Sequence, residues 1–212
     1  MIVSKMYSHS NGSNYIVQKH LTSLQDIIDA VTFVNGVNSY CKESKENNKQ
    51  RWLLSPAEVN KQIENFLRDR NWNWKIRLNF KKERRYWEMD GIKDNLGLEV
   101  QLGKYFAVTY DLFMKIPLFI KYGIISSGIE IVPMKNLQRY MSSGVPCFEK
   151  HVVELREANH LQIPILIVGI DLSNKELNNG LGVSFEIFNI FVSSFILILE
   201  KQLSNAVISL AL

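Results

Sequence analysis

The run PILIVGID at residues 164–171 constrains the fold more than any other feature of this chain. A strand with one face in water shows a polar side chain at every second position. This run has none until its last residue. It predicts a strand covered on both faces, the environment of a parallel strand inside a helix-flanked sheet. Of 212 residues, 46% are hydrophobic and 22% charged, an ordinary balance for a globular chain able to bury a full core. One domain spanning residues 1–212 is the expectation.

The other elements follow from periodicity. Leu24, Ile27, Ile28, Val31 and Val34 recur at helical spacing after Ser23. Ser55-Pro56-Ala57-Glu58 combines an N-cap, a proline in the first helical position and an acid able to close a capping box. Val59, Ile63, Phe66 and Leu67 form the stripe of the helix it begins. Trp74, Ile76, Leu78 and Phe80 alternate with Lys75, Arg77, Asn79 and Lys81, predicting a half-buried strand with a basic outer face. That period explains the aromatics as core; stacking of Trp72 and Trp74 on bases is the alternative. Residues 107–122 read as a helix with Val108, Leu112, Ile116 and Phe119 on one face, kinked or broken by Pro117. A short buried strand at residues 128–132 and a helix at 148–159 precede the apolar run. Strands alternating with helices imply an α/β fold, a central mixed β-sheet flanked by helices.

Residues 89–104, MDGIKDNLGLEVQLGK, carry the chemistry. Asp90 beside Gly91 reads as an acid in a turn. In the strand that follows, Leu96, Leu98 and Val100 point one way, while Gly97, Glu99 and Gln101 point to an open face. Two carboxylates converging from a turn and a strand suit a hard divalent cation such as Mg²⁺, which keeps several waters and accepts phosphate oxygens. A surface turn followed by a solvated strand face is the plainer reading of the same spacing. Asp94 is a rival ligand, ranked second. His9 and His20 are given no role.

Charge leans the same way. The formal net charge is +4, a mild preference for a polyanion. Lys75, Arg77, Lys81, Lys82, Arg84, Arg85 and Lys93 lead into the acidic stretch. The polar run KESKENNKQ at residues 42–50 reads as a solvated loop, with contact to a DNA backbone as the alternative. Cys41 and Cys147 are too few and too isolated for a disulfide framework or a structural zinc site. No signal peptide is visible, and a cytoplasmic location is expected. Residues 185–199, FEIFNIFVSSFILIL, are too short for a membrane span and include Asn189; they read as a buried core element, and no membrane partner is expected.

Asp90, eight residues, then Glu99-x-Gln101 followed by Leu102-Gly103-Lys104-Tyr105 resembles the active-site segment of the BglII/BstYI restriction endonucleases, a branch of the PD-(D/E)xK nucleases. Tyr110-Asp111-Leu112-Phe113, Glu130-Ile131-Val132-Pro133-Met134 and Met141-Ser142-Ser143-Gly144 extend the likeness. So do Tyr7-Ser8-His9, Asn11-Gly12 and Tyr15-Ile16, which are nearest to BstYI. The resemblance covers roughly residues 1–171 and as a whole is closest to BstYI. It implies the PD-(D/E)xK fold, with a catalytic core at about residues 72–171 and the Asp and Glu/Gln on adjacent strands at one sheet edge. It also implies Mg²⁺, with Mn²⁺ able to substitute, held by Asp90, Glu99 and the backbone carbonyl of Val100. Glu99 would polarise the attacking water, or ligate the metal directly.

Most of that superfamily has Lys where Gln101 stands. An amide can orient water but brings no positive charge. Lys104 and the Ser142-Ser143-Gly144 loop correspond to DNA-contacting positions; Pro146-Cys147-Phe148 departs from the Tyr-rich version of the relatives. The implied activity is type II cleavage of palindromic double-stranded DNA by a homodimer in a bacterial or archaeal cytoplasm. The implied site has six bases with a central GATC, RGATCY-like, and a cognate DNA methyltransferase is the expected genetic partner. A repair or nicking nuclease on the same fold and an inactive DNA-binding relative are the other classes.

Overall fold

The computed structural model describes residues 1–36, 39–43, 45, 47, 52–80, 85–158 and 160–181. The chain divides into two compact units, Met1–Ser173 and Asn174–Leu212. In the second, the described element is a helix at Asn174–Leu181. The apolar run at 185–199 lies outside the described residues, as do Lys81, Lys82, Arg84 and much of the polar run at 42–50. No helix among the described residues is long and apolar enough to cross a membrane.

The first unit is built on a six-stranded mixed sheet. Its strands are β1 (Ile2–His9), β4 (Asn73–Phe80), β5 (Arg85–Lys93), β6 (Leu96–Val100), β7 (Ser127–Pro133) and β8 (Ile165–Asp171), in the order β1-β8-β7-β6-β5-β4. β6, β7 and β8 run parallel, and the outer pairings are antiparallel. A separate ribbon pairs β2 (Tyr40–Glu43) with β3 (Trp52–Leu54). The apolar run is β8, an interior strand as its sequence predicts. Leu166, Val168 and Ile170 pack on one face and Ile165 and Ile167 on the other.

Helices cover both faces. On one lie α1 (Gly12–Phe33) and α2 (Pro56–Arg68); on the other lie α3 (Tyr105–Tyr110), α4 (Ile116–Lys121) and α5 (Phe148–Glu157). α1 begins well before the expected start at Ser23, and it bends at His20 (φ −137°). Its first half is legible only weakly, because Gly12, Ile16 and His20 are the buried positions there. Ser55 Oγ accepts from the Glu58 N–H at 3.4 Å, so the predicted N-cap is present. The Ser55 N–H is bonded instead to the Ser39 carbonyl at 2.9 Å, which takes the place of the reciprocal half of a capping box.

Two expectations need correction. Asp90 is not in a turn: it lies within β5, and the hairpin turn is Asp94-Asn95, both left-handed (φ 51° and 62°), the pairing of torsions that a tight hairpin favours. The outer strand β4 does not keep one face. Lys75 takes φ 59° in mid-strand, and across it Trp74 packs on the α1–α2 side while Ile76, Leu78 and Phe80 pack on the other. Trp72 and Trp74 are core, as their spacing implies, and Trp72 Nε1 donates to Asp26 at 3.2 Å.

α1 starts hard against β8. A Cβ at Gly12 would lie 2.3 Å from the backbone oxygen of Ile165, an overlap that no side-chain rotation relieves. Gly12→Ala should therefore destabilise the protein by about 1–3 kcal/mol, the usual cost of overpacking, read as a lower denaturation midpoint with an unchanged slope. An unshifted midpoint would mean that this junction yields freely.

Candidate active site

β5 and β6 form a hairpin whose open end holds the predicted acids. Asp90 Oδ2 accepts from the Val100 N–H at 2.9 Å, which fixes the carboxylate beside the end of β6. Leu96, Leu98 and Val100 turn toward the α1–α2 core, as the alternation requires. Glu99 turns the other way, but the face there is closed: α3 and α4 cover it and Glu99 is 1% exposed. The expected open face is therefore a buried one, because the sheet is covered on both sides. Parallel pairing of β6 with β7 places Glu130 directly beside Glu99. Glu130 is fully buried, and both its carboxyl oxygens lack a hydrogen-bond partner.

The helix over this face changes its winding there. Pro117 has no N–H to return to the preceding turn. Between α3 and α4 the chain makes a π-helical turn, Asp111–Lys115, in which the Ile116 N–H bonds to the Asp111 carbonyl five residues back. Such wide turns occur often at functional sites. This one carries Asp111 and Lys115 down to the sheet. Lys115 Nζ lies 2.6 Å from Asp111 Oδ1 and 2.9 Å from Glu99 Oε1. Gln101 Nε2 donates to Asp111 Oδ2 at 3.3 Å, joining the last predicted residue to the same network. From the opposite face, Asn60 Nδ2 donates to the Val100 carbonyl at 3.1 Å, while Asn60 Oδ1 is buried without a partner.

Two carboxyls, Asp111 and Glu99, thus pair with one ammonium, and Asp90 and Glu130 lie near enough to feel its charge. Burial is the largest cause pushing each carboxyl above its ordinary value. For Asp90 the Val100 N–H and Lys115 partly offset it. Glu99 is driven well above its usual range by burial and then by Asp90 and Asp111, with Lys115 opposing. Glu130 behaves alike under burial, Asp111 and Glu99. Burial works against the Lys115 ammonium, but Glu99 and Asp111 outweigh it and raise its pKa.

An excess of buried oxygen donors with negative charge calls for a cation, and the donors are of the hard type that Mg²⁺ takes. Among the described residues no three His, Cys, Asp or Glu side chains are gathered to hold a metal by themselves. The donor set for such an ion would be the Asp90 and Glu99 carboxylates and the Val100 carbonyl, whose second lone pair Asn60 leaves open, completed by water. The residues fit the group.

The remaining expected residues divide. Lys104 is exposed immediately before α3, and Ser142, Ser143 and Gly144 form a loop brought against it, since the Tyr105 N–H bonds to the Gly144 carbonyl at 3.0 Å. Gly144 has φ 79°, which suits its residue type. Asp94 lies at the far end of the hairpin and accepts from Ser23 Oγ at 3.3 Å, apart from the acids. His9 binds the Leu161 carbonyl and His20 binds Ser126 Oγ. Cys147 is a free, buried thiol.

The family model for the restriction endonucleases BglII/BglIII matches residues 4–170. The chain belongs to the BglII/BglIII restriction endonuclease family. It is accordingly a type II restriction endonuclease. Among solved structures it is similar to restriction endonuclease BglII complexed with a DNA 16-mer, with a TM-score of 0.68 at 17% identity over 80% of this chain and 78% of that one. Free BglII is similar with a TM-score of 0.57 at 16% identity, over 80% and 79%. These likenesses establish the shared fold. A search of curated proteins found none that matches.

Asp111, Lys115, Glu130 and Asn60 were not singled out from the sequence as site residues. The signal for one pair was present: Asp111 and Lys115 are four apart on the flank of the Val108, Leu112, Ile116 stripe, the spacing of a helical ion pair. Glu130 stands in a segment that extends the resemblance, with no role assigned to it there.

A Glu130 carboxyl held above 4.5 stabilises the fold below that pH, and this contribution is lost as pH rises through the higher folded value. Glutamine has no such proton to lose. In metal-free buffer, Glu130→Gln should gain in Tm over wild type as pH rises from about 5 to about 8. A Tm difference that stays constant with pH would remove Glu130 from the titrating set.

Proposed function

We propose that this enzyme cleaves palindromic double-stranded DNA as a homodimer, with Mg²⁺ held by Asp90, Glu99 and the Val100 carbonyl. The observation that carries the reading is the convergence of Asp90 and Glu99 at the open end of one hairpin, beside a backbone carbonyl. When bound, the ion supplies Lewis-acid charge stabilisation and a lowered water pKa, and Mn²⁺ should substitute. Restriction endonucleases of this kind generally use a divalent metal.

Glu99 holds the attacking water and accepts its proton, placed for this by its position beside Asp90 at the end of β6. The water oxygen bonds to phosphorus, the P–O3′ bond breaks, and the electron pair leaves with O3′, which takes a proton from solvent. Gln101, tied to Asp111, orients the water. The catalytic core is placed at about residues 72–171.

Lys104 and the Ser142-Ser143-Gly144 loop are proposed to face the major groove, one set from each subunit. A two-fold protein matches a two-fold site. A six-base site with central GATC, RGATCY-like, is supported by the likeness of several segments to BstYI. A cognate DNA methyltransferase is the expected genetic partner, and a bacterial or archaeal cytoplasm the expected location.

Digestion of phage DNA with Mg²⁺ and sequencing of the ends tests the reading. Discrete fragments ending at one GATC-centred site support it. A smear or single nicks would favour a repair or nicking enzyme instead. Asp90→Asn should abolish cleavage and keep cognate binding within about threefold, since it removes a metal charge and leaves the readout surface; full cleavage by this variant would sink the ligand assignment.

Lys104→Ala should cost about 1–3 kcal/mol on the cognate site and relax discrimination at one symmetric base pair. Competition binding on singly mismatched duplexes at two salt concentrations reads this. Equal weakening on every duplex would make Lys104 a phosphate contact.

A further inference from the structure

The proposed hydrolysis adds negative charge around phosphorus, and the described groups on β5 and β6 beside it are carboxylates, an amide and a carbonyl. Among the described residues, Lys115 brings them a positive charge. Lys115 extends from the π-helical turn, its side chain 12% exposed, and ends 2.9 Å from Glu99 Oε1. It is the only Lys or Arg among the described residues in an ion pair with Glu99 or Asp111.

Two features mark the placement as more than neutralisation. Asp111, at 2.6 Å, already supplies the lysine with a counterion from its own turn. The ammonium nevertheless also lies against Glu99, the residue proposed to hold the attacking water. The regular helix is also interrupted over these five residues alone, Asp111–Lys115, between α3 and α4.

We propose that Lys115 is a catalytic residue of this nuclease, its ammonium contacting the attacking water beside Glu99 and the phosphoryl oxygen that gains charge. It supplies from a helix the positive charge that Gln101 cannot bring from the strand. A cation prepositioned in a buried site acts on developing charge without reorganising, which is where such groups contribute most. The proposal rests on the hydrolytic reading above, and it is separable from it.

Single-turnover cleavage of a cognate duplex, metal-free binding of that duplex and thermal unfolding are measured for Lys115→Met, Lys115→Arg and the double variant Asp111→Asn/Lys115→Met. Lys115→Met should slow cleavage by about a hundredfold or more while metal-free binding stays within about threefold. Lys115→Arg, which keeps the charge, should recover about tenfold of that loss. The double variant preserves the wild-type charge sum and removes the lysine together with its own counterion. It should remain as slow as Lys115→Met, and it carries the test if the single variant fails to fold. Recovery of the double variant to within about tenfold of wild type would make Lys115 a structural counterion of Asp111 and overturn the proposal, as would near-wild-type cleavage by Lys115→Met. A wild-type protein that cuts no DNA with Mg²⁺ would overturn the hydrolytic reading itself, and this inference with it.

Discussion

Lys115 brings a positive charge to the four carboxyls within an otherwise largely apolar layer. Glu99 and Glu130 sit side by side because β6 and β7 are parallel and in register. Asp111 arrives from above on the helical turn, and Asp90 arrives from β5. Without the ammonium at 2.6 Å from Asp111 and 2.9 Å from Glu99, Asp111 and Glu99 would have no ion-pair partner among the described residues. Burial of unpaired charge is among the most costly arrangements a fold can contain. Burial favours the neutral form of a carboxyl that has no paired cation, Glu130 among them.

That constraint organises the surrounding elements. The π-helical turn places Asp111 and Lys115 over the sheet, and Pro117 is the local reason for the turn. The hairpin turn at Asp94-Asn95 sets the β5–β6 register, which aligns Asp90 with the end of β6. The proposed DNA-facing groups are attached to the same frame. Lys104 directly precedes the helix that leads into the π turn, and the Tyr105–Gly144 backbone bond ties in the 142–144 loop. The geometry of the chemistry and the position of the readout surface therefore share one helix.

Four carboxyls gather at this end of the hairpin, and two of them are proposed to hold a metal. Two carboxylates and a carbonyl leave most coordination positions of a hard cation to water and phosphate oxygens. An ion held as proposed would be completed by its substrate. Asn60, reaching the Val100 carbonyl from α2, fixes the proposed backbone donor from the far face of the sheet.

Local pattern determined much of this protein. The apolar run at β8, the Ser55 cap, the Val108–Phe119 stripe and the alternation in β6 each encode their element through side-chain period, which a chain carries without knowledge of its neighbours. The spacing of Asp90, Glu99 and Gln101 marked the segment that carries these residues, and the BglII/BglIII family match agrees with that segment's resemblance. The tertiary structure decided what the period leaves open. Asp90 lies in a strand rather than a turn because the left-handed residues are Asp94 and Asn95. Glu99 is buried because helices cover the face that alternation alone leaves facing water. Glu130 joins the acids through strand order, and Lys115 reaches them through a change of helical winding. Both depend on residues far apart in the chain meeting across a sheet, and periodicity records which face a side chain takes but not what lies opposite it.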